Sequence, residues 1–128
     1  MKDIVNTKIK FREPYRPFAP SVLEERSPDF FDLAEPARQY PARFMLLVVP
    51  VLEHGREKIP AVTHVDGSAR LQTVVASANP RYHALIRTFG DATGVPVVLN
   101  TSFNLRGEPI VSTPEEAFST FARSGMDA

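Results

Sequence analysis

The sequence predicts an α/β fold, a single domain in which a twisted mixed β-sheet carries packed helices. Three observations point there. Short apolar runs of strand length recur along the chain, among them Phe44 to Leu52 and Val95 to Leu99. Two segments open with a capping residue followed by proline, Asn79-Pro80 and Thr113-Pro114, and continue with helical apolar spacing. The chain has 128 residues, enough for one domain with one core, so one domain over residues 1–128 is expected.

Taken in order, Met1 to Lys10 reads as a short helix or turn leading into a first strand. Lys10 and Arg12 have strand spacing, with Ile9 and Phe11 facing the other way. Pro20 to Glu25 continues as an extended segment. Arg26 to Pro41 is polar and reads as a mobile loop with a short helical turn. Phe44 to Leu52 reads as a central strand, and His54-Gly55-Arg56 as a turn. Ala61 to Val65 and Leu71 to Val75 read as strands joined at Asp66-Gly67-Ser68. The spacing then predicts a helix over Pro80 to Phe89, buried through Tyr82, Leu85, Ile86 and Phe89 and ended by Gly90. After the strand Val95 to Leu99 comes a final helix over Pro114 to Arg123, with Ala117, Phe118, Phe121 and Ala122 as its buried face. The helices are expected mainly on one side of the sheet.

Asn100-Thr101-Ser102-Phe103-Asn104-Leu105-Arg106-Gly107-Glu108-Pro109 is poor core material placed directly after a buried strand. Open α/β sheets put ligands at such carboxyl ends. Ser102 and Asn104 are two residues apart, so an extended backbone would turn a hydroxyl and a carboxamide to one face, suited to a phosphate or carbonyl oxygen. A helix cap or Asx-turn is the competing reading. At the other end, Lys8, Lys10, Arg12 and Arg16 are followed or interrupted by Pro14, Pro17 and Pro20. Cations on stiffened backbone lose less entropy on binding an anion. A solvated basic face stays open beside this. In the middle, Thr63, His64, Asp66 and Arg70 lie close together. One His and one Asp do not make a metal site, and no metal ligands are assigned. His64 suits a structural or substrate-orienting role. Arg70 can grip a phosphate bidentately.

These blocks together carry a resemblance. Lys10-x-Arg12 and Ser102-x-Asn104 resemble the signature tetrad of the threonylcarbamoyl-AMP synthase fold. Arg12 to Leu23, Pro60 to Val74 and Asn100 to Pro109 resemble the carboxy-terminal domain of O-carbamoyltransferases of the nodulation-protein and antibiotic-tailoring type. The resemblance runs from about Met1 to Asp127.

It implies a synthase-like fold and carbamoyl activation. Carbamoyl phosphate and ATP, the latter with Mg2+ on its phosphates, enter one pocket, and carbamoyl-adenylate and pyrophosphate leave. Lys10, Arg12, Arg70, Ser102 and Asn104 are the implied catalytic set. Arg16, Thr101, His64 and Arg106 are implied substrate contacts, with solvent exposure the other reading of Arg106. Full-length members add an amino-terminal domain that passes the carbamoyl group to an acceptor hydroxyl, an expected partner, and a Gly- and Arg-rich stretch before the point where this chain begins. The domain here is therefore expected to be incomplete and to lack carbamoyl transfer on its own.

Composition narrows the alternatives. Formal net charge is +0, and no basic ladder carries aromatics, so nucleic acid is not an expected partner. Hydrophobic residues at 43% and charged residues at 23% suit a globular chain. The absence of cysteine excludes disulfides and fits a cytoplasmic protein. Phe44 to Leu52 is too short to span a bilayer, and no signal peptide is expected after Met1. A nucleotide- or RNA-binding module and a non-catalytic remnant that binds a partner domain are the other two readings.

Overall fold

The computed structural model describes residues 1–126, so the end of the resemblance at Asp127 lies outside the described residues. In chain order the elements are helix α1 (Lys2–Ile4), continued as a π-helical stretch over Val5–Ile9, then strand β1 (Ala19–Leu23), strand β2 (Leu47–Pro50), helix α2 (Glu53–Arg56), strand β3 (Ser68–Val74), helix α3 (Pro80–Thr93), strand β4 (Val97–Asn100) and helix α4 (Pro114–Ser124). Short 3-10 helices cover Glu24–Asp29, Pro36–Arg38 and Tyr40–Phe44. The chain divides into two compact units, Phe18–Asn100 and the paired ends, Met1–Pro17 with the residues from Thr101 onward.

The Phe18–Asn100 unit holds the sheet. Its strand order is β2-β3-β1-β4, with β1 parallel to β3 and the other pairs antiparallel, so the sheet is mixed as expected. β1 is buried along its whole length. On one face Leu23 and Val74 meet Ile86 of α3, with Tyr82 and Val98 packed around them. α3 starts as the sequence predicts: the Asn79 side chain accepts from the Tyr82 N–H at 3.2 Å, and Pro80 takes the first turn, where its missing N–H costs nothing.

Several expectations for this unit change. The helix does not stop at Gly90. It runs on to Thr93 and ends at Gly94, whose φ of 78° suits a left-handed cap. Gly90 instead lets Pro96 approach: a Cβ there would lie 2.6 Å from Pro96 Cβ and 2.9 Å from Pro96 Cα. Leu85 and Phe89 are exposed, and His83 shares the buried side with Ile86. His83 is held at 2.8 Å from a Glu25 carboxylate oxygen, so a polar residue occupies a place that the apolar pattern gave to leucine.

The central strand expected at Phe44 to Leu52 is the short edge strand β2, because Tyr40–Phe44 winds as a 3-10 turn and Met45 takes a left-handed φ of 57°. Part of that edge is closed. Asp32 N donates to Pro50 O at 2.9 Å and Leu52 N to Phe30 O at 2.8 Å, and Pro50 has no N–H to offer. Ala61 to Val65 forms turns, not a strand, and Val65 is fully exposed. The turn at Asp66-Gly67-Ser68 does exist: Asp66 Oδ1 accepts from Ser68 N at 2.9 Å and Ser68 Oγ at 2.6 Å, and Gly67 sits at φ 80°.

The unit of the paired ends is helical and looped. The strand expected around Lys10 and Arg12 is absent: Lys10 N closes the π-helical turn on Val5 O at 2.8 Å, and Phe11 adopts φ 47°. α4 carries the full capping box, with Thr113 Oγ1 accepting from Glu116 N at 3.2 Å while the Glu116 carboxylate accepts from Thr113 N at 3.3 Å and Ser112 N at 2.8 Å. Its buried residues are Thr120 and Ser124. Phe118 is 73% exposed, Phe121 37%, and Ala122 is exposed, so the apolar face expected to be buried is the open one.

Alanine in an unobstructed helix interior stabilises relative to glycine by about 1 kcal/mol. The contact with Pro96 backbone reverses that sign at Gly90, so Gly90→Ala is expected to destabilise by about 1–3 kcal/mol. Urea unfolding checks this; equal or greater stability in the variant would remove the close approach from the account.

Candidate functional site: the Lys10 clamp and a polar sheet face

The late motif folds around one ammonium group. Lys10 is 7% exposed. Its Nζ donates to Ser102 O at 2.8 Å, Asn104 O at 2.7 Å and Asn104 Oδ1 at 2.9 Å. Three protons meet three acceptors, which an ammonium can satisfy from one atom. Ser102 Oγ donates to the same Asn104 Oδ1 at 2.7 Å, and Asn104 Nδ2 donates to Glu108 O at 2.8 Å. Gly107, at φ 81°, allows the turn that brings Glu108 back. Ser102 and Asn104 do meet, but through a hydrogen-bonded turn rather than an extended backbone, so the Asx-type reading describes the local geometry.

Asn6 holds the basic segment. It is fully buried. Its Nδ2 donates to Arg16 O at 3.0 Å and Pro14 O at 3.3 Å, and its Oδ1 accepts from Arg12 Nε at 2.6 Å. Pro14 and Pro17 bring carbonyls without matching N–H groups, and one carboxamide supplies donors to this stretch. A second Arg12 nitrogen donates to Pro17 O at 3.3 Å. Arg16 is exposed, 3.8 Å from Glu13. Arg106 donates to Phe11 O at 3.2 Å, and Thr101 is exposed. Asn6 was not legible as a site residue, since a single asparagine in a helical stretch carries no motif.

The electrostatics are cationic. Burial, and then the Arg12 charge, push the Lys10 ammonium below its ordinary pKa. Burial and the Arg16 charge lower Arg12, with Glu13 acting the other way. No ion pair ties Lys10 among the described residues. Among those residues no group of three or more His, Cys, Asp or Glu could hold a metal ion. No helix among the described residues is long and apolar enough to cross a membrane.

Arg70 and His64 lie in the sheet unit. Arg70 is exposed on β3, and its guanidinium has no hydrogen bond or ion pair among the described residues. His64 faces the turn: its Nδ1 is 3.1 Å from Ser68 Oγ, and its backbone N–H donates to Ser68 O at 2.8 Å. Ser68 stands between His64 and Asp66, so the three do not form a nucleophile–base–acid relay. Asp66 is held below its ordinary pKa mainly by the Ser68 hydroxyl and N–H.

The same sheet face carries a cluster that motif reading passed over. Gln72 Oε1 accepts from Ser21 Oγ at 2.6 Å and from Asn100 Nδ2 at 2.6 Å. Ser21, Gln72 and Asn100 each come from one of the three sequence blocks that carried the resemblance, and all are on β-strands. For Ser21 and Asn100 a single polar residue in an otherwise apolar strand was the available signal; Gln72 shares β3 with Ser68, Arg70 and Thr73 and had none.

A mixed α/β sheet unit, followed in the chain by a motif loop that a buried lysine holds, defines the class of domain. Comparison narrows it: the family described as carbamoyltransferase C-terminus matches residues 1–128, and the chain belongs to that family. Similar proteins include nodulation protein NolNO of Sinorhizobium fredii, 51% identical over 126 residues, which are 98% of this chain and 18% of that protein. Nodulation protein NolO of Bradyrhizobium diazoefficiens is 48% identical over 126 residues, 98% of this chain and 23% of that protein. Nodulation protein U of Rhizobium tropici is 42% identical over 107 residues, 84% of this chain and 18% of that protein. The chain thus spans about a fifth of the length of these relatives.

Lys10→Met is expected to lower the unfolding free energy by about 1–3 kcal/mol, since Ser102 O, Asn104 O and Asn104 Oδ1 lose their shared donor. Lys10→Arg is expected not to restore it, because a planar fork does not reproduce the convergent ammonium. Unfolding curves for both variants decide this, and wild-type stability in Lys10→Met would rule out the clamp.

Proposed function

We propose that this chain is the carbamoyl-activating region of a carbamoyltransferase, binding carbamoyl phosphate and ATP. Water releases phosphate from carbamoyl phosphate, leaving carbamate. A carbamate oxygen attacks the α-phosphorus of ATP, the bond to the β-phosphate oxygen breaks, and carbamoyl-adenylate and pyrophosphate form. Magnesium travels with the nucleotide phosphates. An amino-terminal domain of the full-length enzyme then passes the carbamoyl group to an acceptor hydroxyl.

The observation that carries this reading is that Lys10 holds the Ser102–Asn104 loop and Asn6 holds Arg12, in a chain of the carbamoyltransferase family; burial, and then a neighbouring guanidinium, lowers the pKa of both cations. A bound polyphosphate relieves that repulsion. Lys10 is committed to Ser102 and Asn104, so its part is to fix the loop and supply field. Arg12, Arg16 and Arg106 are assigned to the nucleotide phosphates, and Ser102, Asn104 and Thr101 to neutral polar contacts. Arg70, unpaired on the sheet unit, is assigned to the phosphate of carbamoyl phosphate. His64 keeps a structural role at the turn before β3.

A second reading, a partner-binding module with no chemistry of its own, draws on the exposed Phe118 and Phe121 of α4.

Calorimetry with ATP, carbamoyl phosphate and pyrophosphate separates the two. All three are expected to bind wild type. Arg70→Ala is expected to weaken carbamoyl phosphate by about 1.5–3 kcal/mol, and Arg70→Lys to recover part of it. Carbamoyl phosphate binding unchanged in Arg70→Ala would remove Arg70 from the proposal. No binding of any of the three at millimolar concentration would favour the partner-binding module.

A further inference from the structure

Gln72 and Asn100 present a fixed donor and a fixed acceptor on the sheet face that also carries Arg70. Gln72 Oε1 is filled by Ser21 Oγ and Asn100 Nδ2, each at 2.6 Å, and Ser21 is fully buried, so the pair cannot drift from that side. Gln72 Nε2 reaches back only at 3.4 Å, to Arg43 O, and has a second N–H to offer. Asn100 Nδ2 also faces Met45 Sδ at 3.6 Å, which leaves Asn100 Oδ1 as an acceptor without a partner among the described residues. Both amides are half-buried. Arg70 lies two residues before Gln72 on β3, hence on the same face and about 6.6 Å away along the strand.

We propose that Gln72 and Asn100, locked by Ser21, are the specificity-determining pair for the carbamoyl group: Asn100 Oδ1 accepts from its NH2 and Gln72 Nε2 donates to its carbonyl, while Arg70 holds the attached phosphate. This rests on the reading of the chain as the carbamoyl-activating region. The complement is specific in sign. A ligand whose NH2 is replaced by methyl leaves Asn100 Oδ1 facing carbon, a buried acceptor without its hydrogen bond.

Acetyl phosphate is that ligand, and inorganic phosphate reports the Arg70 contact alone. Calorimetry on the whole chain is expected to show carbamoyl phosphate binding roughly tenfold tighter than acetyl phosphate. Gln72→Glu keeps an oxygen for Ser21 and Asn100 but replaces the outward N–H by an acceptor, and Gln72→Met removes both functions without adding charge. Thermal unfolding identifies which variants remain folded. In either folded variant the ratio of the two affinities is expected to fall to about one, a quantity insensitive to a general change in phosphate binding. Wild type binding both ligands equally, or a folded variant keeping the wild-type ratio, would overturn the pair's role and leave the activating function standing. Wild type binding inorganic phosphate but neither acyl phosphate would overturn the subsite, and failure to bind any of the three would overturn both the subsite and the reading beneath it.

Discussion

One ammonium group organises the late motif. Lys10 Nζ lies within 2.9 Å of three oxygens that are more than ninety residues away in sequence. Burying an ammonium without a carboxylate is costly, and the cost shows in the lowered pKa of Lys10. The cost is offset only if every proton is satisfied, which is what Ser102 O, Asn104 O and Asn104 Oδ1 do. The loop conformation follows from that requirement. With Asn104 Oδ1 occupied by Lys10 and Ser102 Oγ, its Nδ2 is left to close the turn on Glu108 O. Asn6 plays the equivalent part for the proline-stiffened segment, where it satisfies two carbonyls and orients Arg12.

The parts of the fold legible in the sequence were those with local chemistry. Asn79-Pro80 and Thr113-x-x-Glu116 set their helix starts through hydrogen bonds within four residues, and both starts stand. The mixed sheet was also legible in part: the expected strands Leu71 to Val75 and Val95 to Leu99 overlap β3 and β4, while β1 was expected only as an extended segment. What failed depended on partners distant in sequence. Alternation at Lys8 to Arg12 imitates a strand, but the segment winds as a helix and breaks at Phe11, with Asn6 buried inside it. The apolar stripes of α3 and α4 were read as wholly buried because periodicity names a face without naming what covers it. Leu85, Phe89 and Phe118 are exposed, while His83, Thr120 and Ser124 are buried.

The candidate site divides in the same way. Lys-x-Arg and Ser-x-Asn mark residues that meet, yet the spacing suggested parallel side chains aimed at a ligand. The structure shows Lys10 and Asn104 aimed at each other instead. Gln72 and Ser21 carried no motif signal of their own, although both lie inside blocks that carried the family resemblance. Their pairing needs the parallel register Ser21↔Gln72, a long-range fact that no local pattern contains. Lys10 and Asn6 position backbone, and anion contacts by Arg12, Arg16, Arg70 and Arg106 belong to the proposed function.

Lys10 is a buried cation whose three protons meet three oxygens, and the proposed function makes its loop an anion site. Nitrogen-15 NMR of the Lys10 Nζ across a pH titration tests it most directly, with and without pyrophosphate. A bound anion stabilises the protonated form, so a pKa below the ordinary lysine value that rises when pyrophosphate is added is the expected result. An ordinary lysine pKa, unmoved by pyrophosphate, would contradict the account.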